Sequence, residues 1–187
     1  LEICRALAAR PRILLLDDHP LLRKGLSALI NQEPDLMVVG EAEDGQQALQ
    51  ALAENRFDLA IVDISLPGVD GIEVLKSLKE RFPELPTLVV SMHDESLFAE
   101  RALRAGARGF IMKQEAVESI LTAIRRVLAG QIYVSERIAT RMLKKLVDGD
   151  ARPSARTLDV LTDRELTIFR LIGQGYGTRQ IAEQLHL

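Results

Sequence analysis

"RILLLDDHP" occupies residues 12–20, and its reading decides the fold. A short apolar run from Ile13 to Leu16 goes straight into Asp17 and Asp18, with Pro20 just beyond. A run this short, closed by a breaker, reads as a buried strand over 12–16. A carboxylate buried without a partner is costly or shifts its pKa. Two acids at the end of a buried strand therefore call for a cation.

The same grammar repeats outward. "MVVGEA" (37–42), "LAIVD" (59–63), "TLVVS" (87–91) and "GFIM" (109–112) are further β-rich runs. Between them apolar residues recur at helical spacing: Leu22, Leu26 and Leu29–Ile30, then Ala48 and Leu52, then Ile72, Leu75 and Leu78. "SILTAIRRVLAG" (119–130) supplies a fifth helix. Five strands alternating with helices predict a mostly parallel α/β sheet. Covering both faces explains why the strands are continuously apolar.

In an open α/β sheet, ligands bind outside the carboxyl ends of the strands. The predicted ends deliver Asp17 and Asp18, Asp63, Ser91, and Lys113 immediately after Met112. Alone, each has a plain reading: a helix cap, a loop hydroxyl, a solvated lysine. Together they put three carboxylates, a hydroxyl and an ammonium at one edge. Hard oxygen ligands, few in number, suit Mg2+, which shares its shell readily with a phosphate. His19, with no second histidine nearby, reads as an exposed residue of the helix start. No G-x-x-x-x-G-K-[ST] or G-x-S-x-G motif occurs, which excludes a P-loop and a nucleophile elbow.

Gly130 closes the first unit in this reading, with residues 1–11 as an upstream remnant or linker and 12–130 as the domain. "YVSERIATRMLKKLV" (133–147) carries Ile138, Met142 and Leu146 at four-residue spacing and predicts a linker helix. The breaker-rich "DGDARPSART" (148–157) predicts a tether, so that 131–157 joins two units. The second unit starts at Leu158. "TDRE" (162–165) fits a capping box and opens a helix with Leu166, Phe169 and Ile172 inward. After "GQGYG", "TRQIAEQL" (178–185) starts another helix with Ile181, Ala182 and Leu185 inward. Two short helices around a glycine-rich turn fit a helix-turn-helix. Hydrophobic residues are 47% of the 187, enough for packed cores. The net charge of -3 gives no global attraction to nucleic acid. The single cysteine, Cys4, fits a reducing, cytoplasmic compartment, and no apolar stretch is long enough for a membrane helix.

The acid pair Asp17–Asp18, "VDISLPGVDG" around Asp63, "VVSMHDE" around Ser91 and "ARGFIMK" ending at Lys113 resemble the receiver domain of bacterial two-component response regulators. "LTDRELTIFRLIGQGYGTRQIAEQLHL" (161–187) resembles the start of the LuxR-type helix-turn-helix, and the combination resembles the NarL/FixJ class. The resemblance implies a flavodoxin-like, doubly wound sheet in strand order 2-1-3-4-5, joined to an all-α DNA-binding domain. It implies Asp63 as acceptor of a phosphoryl group from a sensor histidine kinase. Asp18, Asp63 and the backbone carbonyl of Ser65 would hold Mg2+, with Asp17 acting through a water. Lys113 would pair with the phosphoryl oxygens, Ser91 would hydrogen-bond them, and Phe110 would be the switch aromatic. Phosphorylation would favour a homodimer. Gln114 stands where many receivers have proline, so no cis peptide is expected there.

In the family the recognition helix follows the pair of helices read at 161–185, so the expectation for residues 158–187 is a partial domain lacking that helix. Residues 150–187 hold five arginines and five acids, so the expectation is also that the chain by itself binds no specific DNA site. Two rivals remain open. An aspartate-nucleophile, Mg2+-dependent phosphatase of the haloacid-dehalogenase type shares the chemistry but carries Asp-x-Asp after its first strand, where this chain has Asp17–Asp18. The other is an interaction module that has lost phosphorylation. The favoured expectation is a phosphoacceptor that is no enzyme beyond, at most, self-dephosphorylation.

Overall fold

A computed structural model describes residues 10–66, 71–147 and 161–185. The elements alternate as expected: β1 (Arg12–Leu16), α1 (Pro20–Asn31), β2 (Met37–Ala42), α2 (Gly45–Glu54), β3 (Leu59–Val62), α3 (Gly71–Arg81), β4 (Thr87–Ser91), α4 (Glu95–Arg104), β5 (Gly109–Met112) and α5 (Ala116–Leu128). Three helices follow: α6 (Glu136–Val147), α7 (Asp163–Gly173) and α8 (Thr178–Gln184). The five strands form one parallel sheet in the order β2-β1-β3-β4-β5.

The continuous apolar runs divide by alternation, because successive side chains of a strand point to opposite faces. Ile13 and Leu15 of β1 join Ile61, Val90 and the inward residues of α1 and α5. Leu14 and Leu16 join Val62, Val89, and the inward residues of α2, α3 and α4 on the other face. Both layers exclude water, which is why the central strands β1, β3 and β4 are apolar between their first and last residues. Pro20 opens α1 at a position where its missing N–H costs nothing. Asp44 and Asp94 cap α2 and α4, accepting from Gln47 N and Ser96 N at 2.8 and 2.7 Å. No cis peptide bond occurs among the described residues.

The sequence reading ends the first unit at Gly130, yet the packing continues beyond it. Tyr133 pairs with Gly109 at the free edge of β5, and Phe110 N donates to Tyr133 O at 2.9 Å. A side chain at Gly109 would put its Cβ 2.7 Å from Leu88 and 2.9 Å from the Tyr133 carbonyl, so glycine makes this close approach feasible. The linker helix α6 then lies along α4. Arg137 pairs with Glu95 at 2.9 Å, Lys145 with Glu100 at 2.6 Å, and Arg141 donates to the Ser96 carbonyl at 2.7 Å. Ile138 is 1% exposed and sits in the same layer as Phe98 and Phe110. Residues 131–147 are thus packed onto the first unit. The tether expected at 148–157 and nine of the eleven residues expected as a remnant (1–9) lie outside the described residues.

The capping box at the start of α7 forms: Glu165 N donates to Thr162 Oγ1 at 3.2 Å and Thr162 N to Glu165 Oε2 at 2.8 Å. One expectation for α7 is corrected. Leu166 is buried, but Phe169 and Ile172 are 55% and 58% exposed, and Leu171 is buried instead. At about 100° per residue, Leu171 lies about 140° and Ile172 about 120° round the helix from Leu166, so the neighbours packed against each side, and not the angle from Leu166, decide which residue is buried. Leu166 joins the layer of Phe98 and Ile138, and Arg101 Nη1 donates to the Leu161 carbonyl at 2.9 Å. In α8, Ile181 is buried, while Ala182 and Leu185 are half-buried.

Ile138→Ala should lower the stability of the folded unit by about 2–5 kcal/mol, the usual cost of truncating a fully buried aliphatic side chain. Chemical denaturation followed by circular dichroism measures it. An unchanged midpoint would mean that α6 is not part of this core.

Candidate functional site

β1 and β3 lie side by side, so the residues that follow them meet at one edge. Asp63 is 1% exposed, and its main-chain N–H donates to the Leu16 carbonyl at 2.8 Å, extending the β1–β3 ladder by one step. Lys113 follows β5 in a short 3₁₀ turn, Lys113–Glu115, which aims its side chain back over the sheet edge. Its Nζ lies 2.7 Å from Asp63 Oδ2 and 2.8 Å from Asp17 Oδ2. Asp17, Asp63 and Lys113 are all buried, while Asp18 opens toward solvent. One ammonium faces three carboxylates, which leaves two negative charges uncompensated by it.

The electrostatics follow from that imbalance. Burial pushes the Asp63 carboxyl above its ordinary value; the Lys113 charge and hydrogen bond, with the Ser65 amide, offset this only in part, and the Asp17 charge adds to it. For Lys113, burial alone would favour the neutral amine. The charge of Asp63, with hydrogen bonds to Asp17 and Asp63, outweighs it and holds the ammonium above its ordinary value.

Ser91 ends β4 fully buried. Its hydroxyl lies 3.0 Å from the Ser65 hydroxyl and accepts from His93 N at 3.1 Å. Ser65 N in turn donates to Asp63 Oδ1 at 2.7 Å. Ser65 therefore stands between Asp63 and Ser91 and bonds to both. His93 stacks on Phe98 of α4 with ring centroids 4.4 Å apart. Phe110 is buried in the layer that also holds Phe98. The structure thus gathers Asp17, Asp18, Asp63, Ser65 and Lys113 into one constellation, with Ser91 attached through Ser65.

Two contributors escaped the sequence reading. Arg23 of α1 is 7% exposed. Its Nη1 donates to the Asp17 carbonyl at 2.5 Å, its Nη2 reaches Glu43 at 2.7 Å and its Nε reaches Glu41 at 3.2 Å. It ties the turn after β1 to the end of β2, fixing the backbone that carries both acids. The signal was present: Arg23 shares its helix face with Leu26 and Ile30, and an arginine at a core-facing position requires acceptors. The other is Gly71, at the start of α3. A Cβ there would lie 2.3 Å from the backbone of Ile64, so only glycine lets α3 press against the residue after Asp63.

The donor set fits a divalent cation. One ligand atom each from Asp17, Asp18, His19 and Asp63 can be chosen so that all lie within 4.8 Å of one another. Hard oxygens and a surplus of two negative charges are what a small divalent ion requires. Both oxygens of Asp17 are already engaged, one by Lys113 and one by His19 N at 2.8 Å. Asp18 is the most open of the three acids.

Because the folded state raises the Asp63 pKa, ionising Asp63 destabilises the fold. The penalty is present in full above the folded pKa and vanishes below the ordinary value of 3.8. Without divalent ions at neutral pH, Asp63→Asn should therefore melt above wild type. The gap should close as the pH falls toward that ordinary value. Thermal melts in EDTA across pH measure it, and a lower melting temperature for Asp63→Asn at neutral pH would contradict it.

With the geometry in hand, the likenesses to known proteins are informative. Residues 13–125 match the family described as "Response regulator receiver domain", and residues 159–187 match "Bacterial regulatory proteins, luxR family". The transcriptional activator protein ExaE of Pseudomonas putida is 40% identical over 173 residues, covering 92% of this chain and 80% of that protein. The crystal structure of a LuxR-family two-component response regulator from Aurantimonas sp. SI85-9A1 superposes with a TM-score of 0.68 at 34% identity, over 74% of this chain and 99% of that one. RcsB from Salmonella enterica serovar Typhimurium, bound to promoter rprA, superposes with a TM-score of 0.64 at 26% identity, over 95% of this chain and 84% of that one. These relatives are transcriptional regulators, and neither the phosphatase nor the inactive-module reading is favoured. The chain belongs to the LuxR/NarL family of two-component response regulators, with a receiver domain followed by a LuxR-type helical region.

Proposed function

We propose that Asp63 accepts a phosphoryl group from a phosphohistidine of a sensor kinase. The observation that carries this is the setting of the Asp63 carboxylate. One oxygen lies 2.7 Å from the Lys113 ammonium, and the other accepts from Ser65 N at 2.7 Å. A carboxylate is a weak nucleophile, but phosphoryl transfer depends mainly on positioning and on charge stabilisation. An oxygen of Asp63 attacks phosphorus in line with the P–N bond. The P–O bond forms as P–N breaks, and the electron pair returns to the leaving imidazole, which takes up a proton. Lys113 then pairs with a phosphoryl oxygen.

Mg2+ is the proposed resident ion, held by Asp18, Asp63 and the Ser65 backbone carbonyl, with Asp17 acting through a water. When bound, it supplies positive charge to the phosphoryl oxygens. The full occupancy of Asp17 by Lys113 and His19 N supports its indirect role. The protein is no enzyme beyond, at most, hydrolysis of its own acyl phosphate.

Ser91 is proposed to leave Ser65 for the phosphoryl group, and Phe110 to follow into the space released. Such a shift extends only as far as phosphate binds one state better than the other. In this reading residues 12–130 are the receiver, 131–157 the linker, and 158–187 the LuxR-type portion, with residues 1–11 upstream of the functional part. A phosphorylation-dependent homodimer and DNA are the proposed output partners, with DNA contacted only through an intact LuxR-type domain. The setting is cytoplasmic. Among the described residues no helix is long and apolar enough to cross a membrane.

Intact mass after incubation with Mg2+ and acetyl phosphate should show one added phosphoryl group, absent in Asp63→Asn. A retained adduct in that variant would defeat the assignment. Ser91→Ala should still take up phosphate yet show a smaller beryllofluoride-induced change in sedimentation. An unchanged response would separate Ser91 from the switch.

A further inference from the structure

A hollow of about 790 Å³ opens between α3, α4, α6 and α7, and no residue of the acidic edge lines it. Its walls are basic. α3 contributes Lys76 and Lys79, α4 Arg101 and Arg104, and α6 Arg141 and Lys145. Glu80 and Glu100 are the acids among the described lining residues. Lys76 meets Glu73 at 2.5 Å and Arg101 donates to the Leu161 carbonyl at 2.9 Å. With those two set aside, four cations still face two acids. Glu100 is used up within the wall: its two oxygens accept from Arg104 Nη2 and Lys145 Nζ, each at 2.6 Å. Arg141 Nη2 and Lys79 Nζ donate to the carbonyls of Ser96 and Pro83 at 2.7 and 2.8 Å. Those bonds engage a hydrogen but cancel no charge. Arg141 Nε is buried with no hydrogen-bond partner among the described residues. The whole chain carries -3, so this positive concentration is local and opposite in sign to the molecule.

The lining is not basic throughout. Ile72 of α3, Leu97 of α4 and Leu166 of α7 give it an apolar part. A concave site of this size, apolar in part and carrying a few charges, is the kind that small molecules occupy. Low-dielectric walls concentrate the field of like charges in a cleft, so an anion gains more there than on a flat surface. Arginine forks and lysine ammonium groups both suit phosphate oxygens. We propose that the hollow binds a small organic polyphosphate of nucleotide size. Its phosphates lie on Lys79, Arg104, Arg141 and Lys145, and its body on Ile72, Leu97 and Leu166. The site needs no metal, unlike the acidic edge, where bare carboxylates repel an anion. It also spans two parts of the chain, since Leu166 belongs to α7 and the other lining residues to α3, α4, α6 and the residue after α4. A ligand that touches both favours the arrangement in which α7 is docked. The inference is independent of the phosphoryl chemistry at Asp63.

ATP and inorganic pyrophosphate are the probes, titrated calorimetrically into the full 187-residue chain. EDTA is present throughout, so that the acidic edge holds no metal and attracts no phosphate. ATP should bind, and more tightly than pyrophosphate, which leaves the apolar lining bare. Lys79→Gln combined with Arg104→Gln should weaken ATP by about tenfold or more. Both side chains are exposed, and a melting curve for the double variant confirms that it folds. Lys24→Gln combined with Lys144→Gln removes the same charge at exposed positions outside the hollow, and should bind ATP as wild type does. Hydrogen exchange of the α7 amides should slow when ATP binds wild type, and not in the Lys79 and Arg104 variant. No binding of ATP by wild type, or equal losses in the two double variants, would overturn the proposal. Pyrophosphate as tight as ATP would overturn the organic body, and α7 exchange indifferent to bound ATP would overturn the contact with α7. Duplex DNA that loses affinity in the Lys79 and Arg104 variant, while ATP loses none, would assign these cations to a nucleic-acid backbone and overturn the proposal. Phosphoryl uptake at Asp63 is read separately by mass, so either proposal can fail alone.

Discussion

The interaction on which the site depends is the buried contact of Lys113 with Asp63 at 2.7 Å and Asp17 at 2.8 Å. Three strand ends meet there, from β1, β3 and β5. Without the ammonium, the two buried carboxylates would repel each other and take up protons. With it, Asp63 is fixed but still short of positive charge, since Asp18 adds a third carboxylate. That deficit gives the pocket its chemistry. It suits a divalent cation, whose charge would offset that of a dianionic phosphoryl group at an acidic edge. The imbalance that destabilises the isolated fold is also what makes the edge receptive.

A second constraint runs from this edge into the helices. Ser65 holds Asp63 through its amide and Ser91 through its hydroxyl. Ser91 accepts from His93 N, His93 stacks on Phe98, and Asp94 caps α4. Phe98, Phe110 and Ile138 share one core layer. Because interiors are close-packed, a displaced Ser91 cannot leave these neighbours unaffected. The helix that would register the change is α6, pinned to α4 by Arg137, Arg141 and Lys145. A helix that reads as a spacer in the sequence is therefore seated on α4 and on the layer that holds Phe98 and Phe110.

The strands were legible because each is a short apolar run, four of the five leading into a residue of the candidate site. All five expected runs coincide with observed strands, and the acids and Lys113 meet where the ends of a parallel sheet must bring them. The misreadings have a common physical source. Phe169 and Ile172 have helical spacing with Leu166, but spacing gives only a face, and which part of that face is covered depends on what packs against it. Arg23 and the Ser65 hydroxyl look like ordinary polar residues until their acceptors are known.

By itself, the sequence determined the parallel α/β sheet, the carboxyl edge that carries Asp17, Asp18, Asp63, Ser91 and Lys113, and the capping box of α7. These follow from local periodicity and from the cost of burying charge, both of which act over a few residues. Only the tertiary structure decided that Arg23 clamps the acid-bearing turn, that Ser65 bridges Asp63 and Ser91, and that α6 belongs to the core of the first unit. Each of these depends on groups far apart in the chain, or on a side-chain orientation set by long-range packing, and no local pattern encodes such a distance.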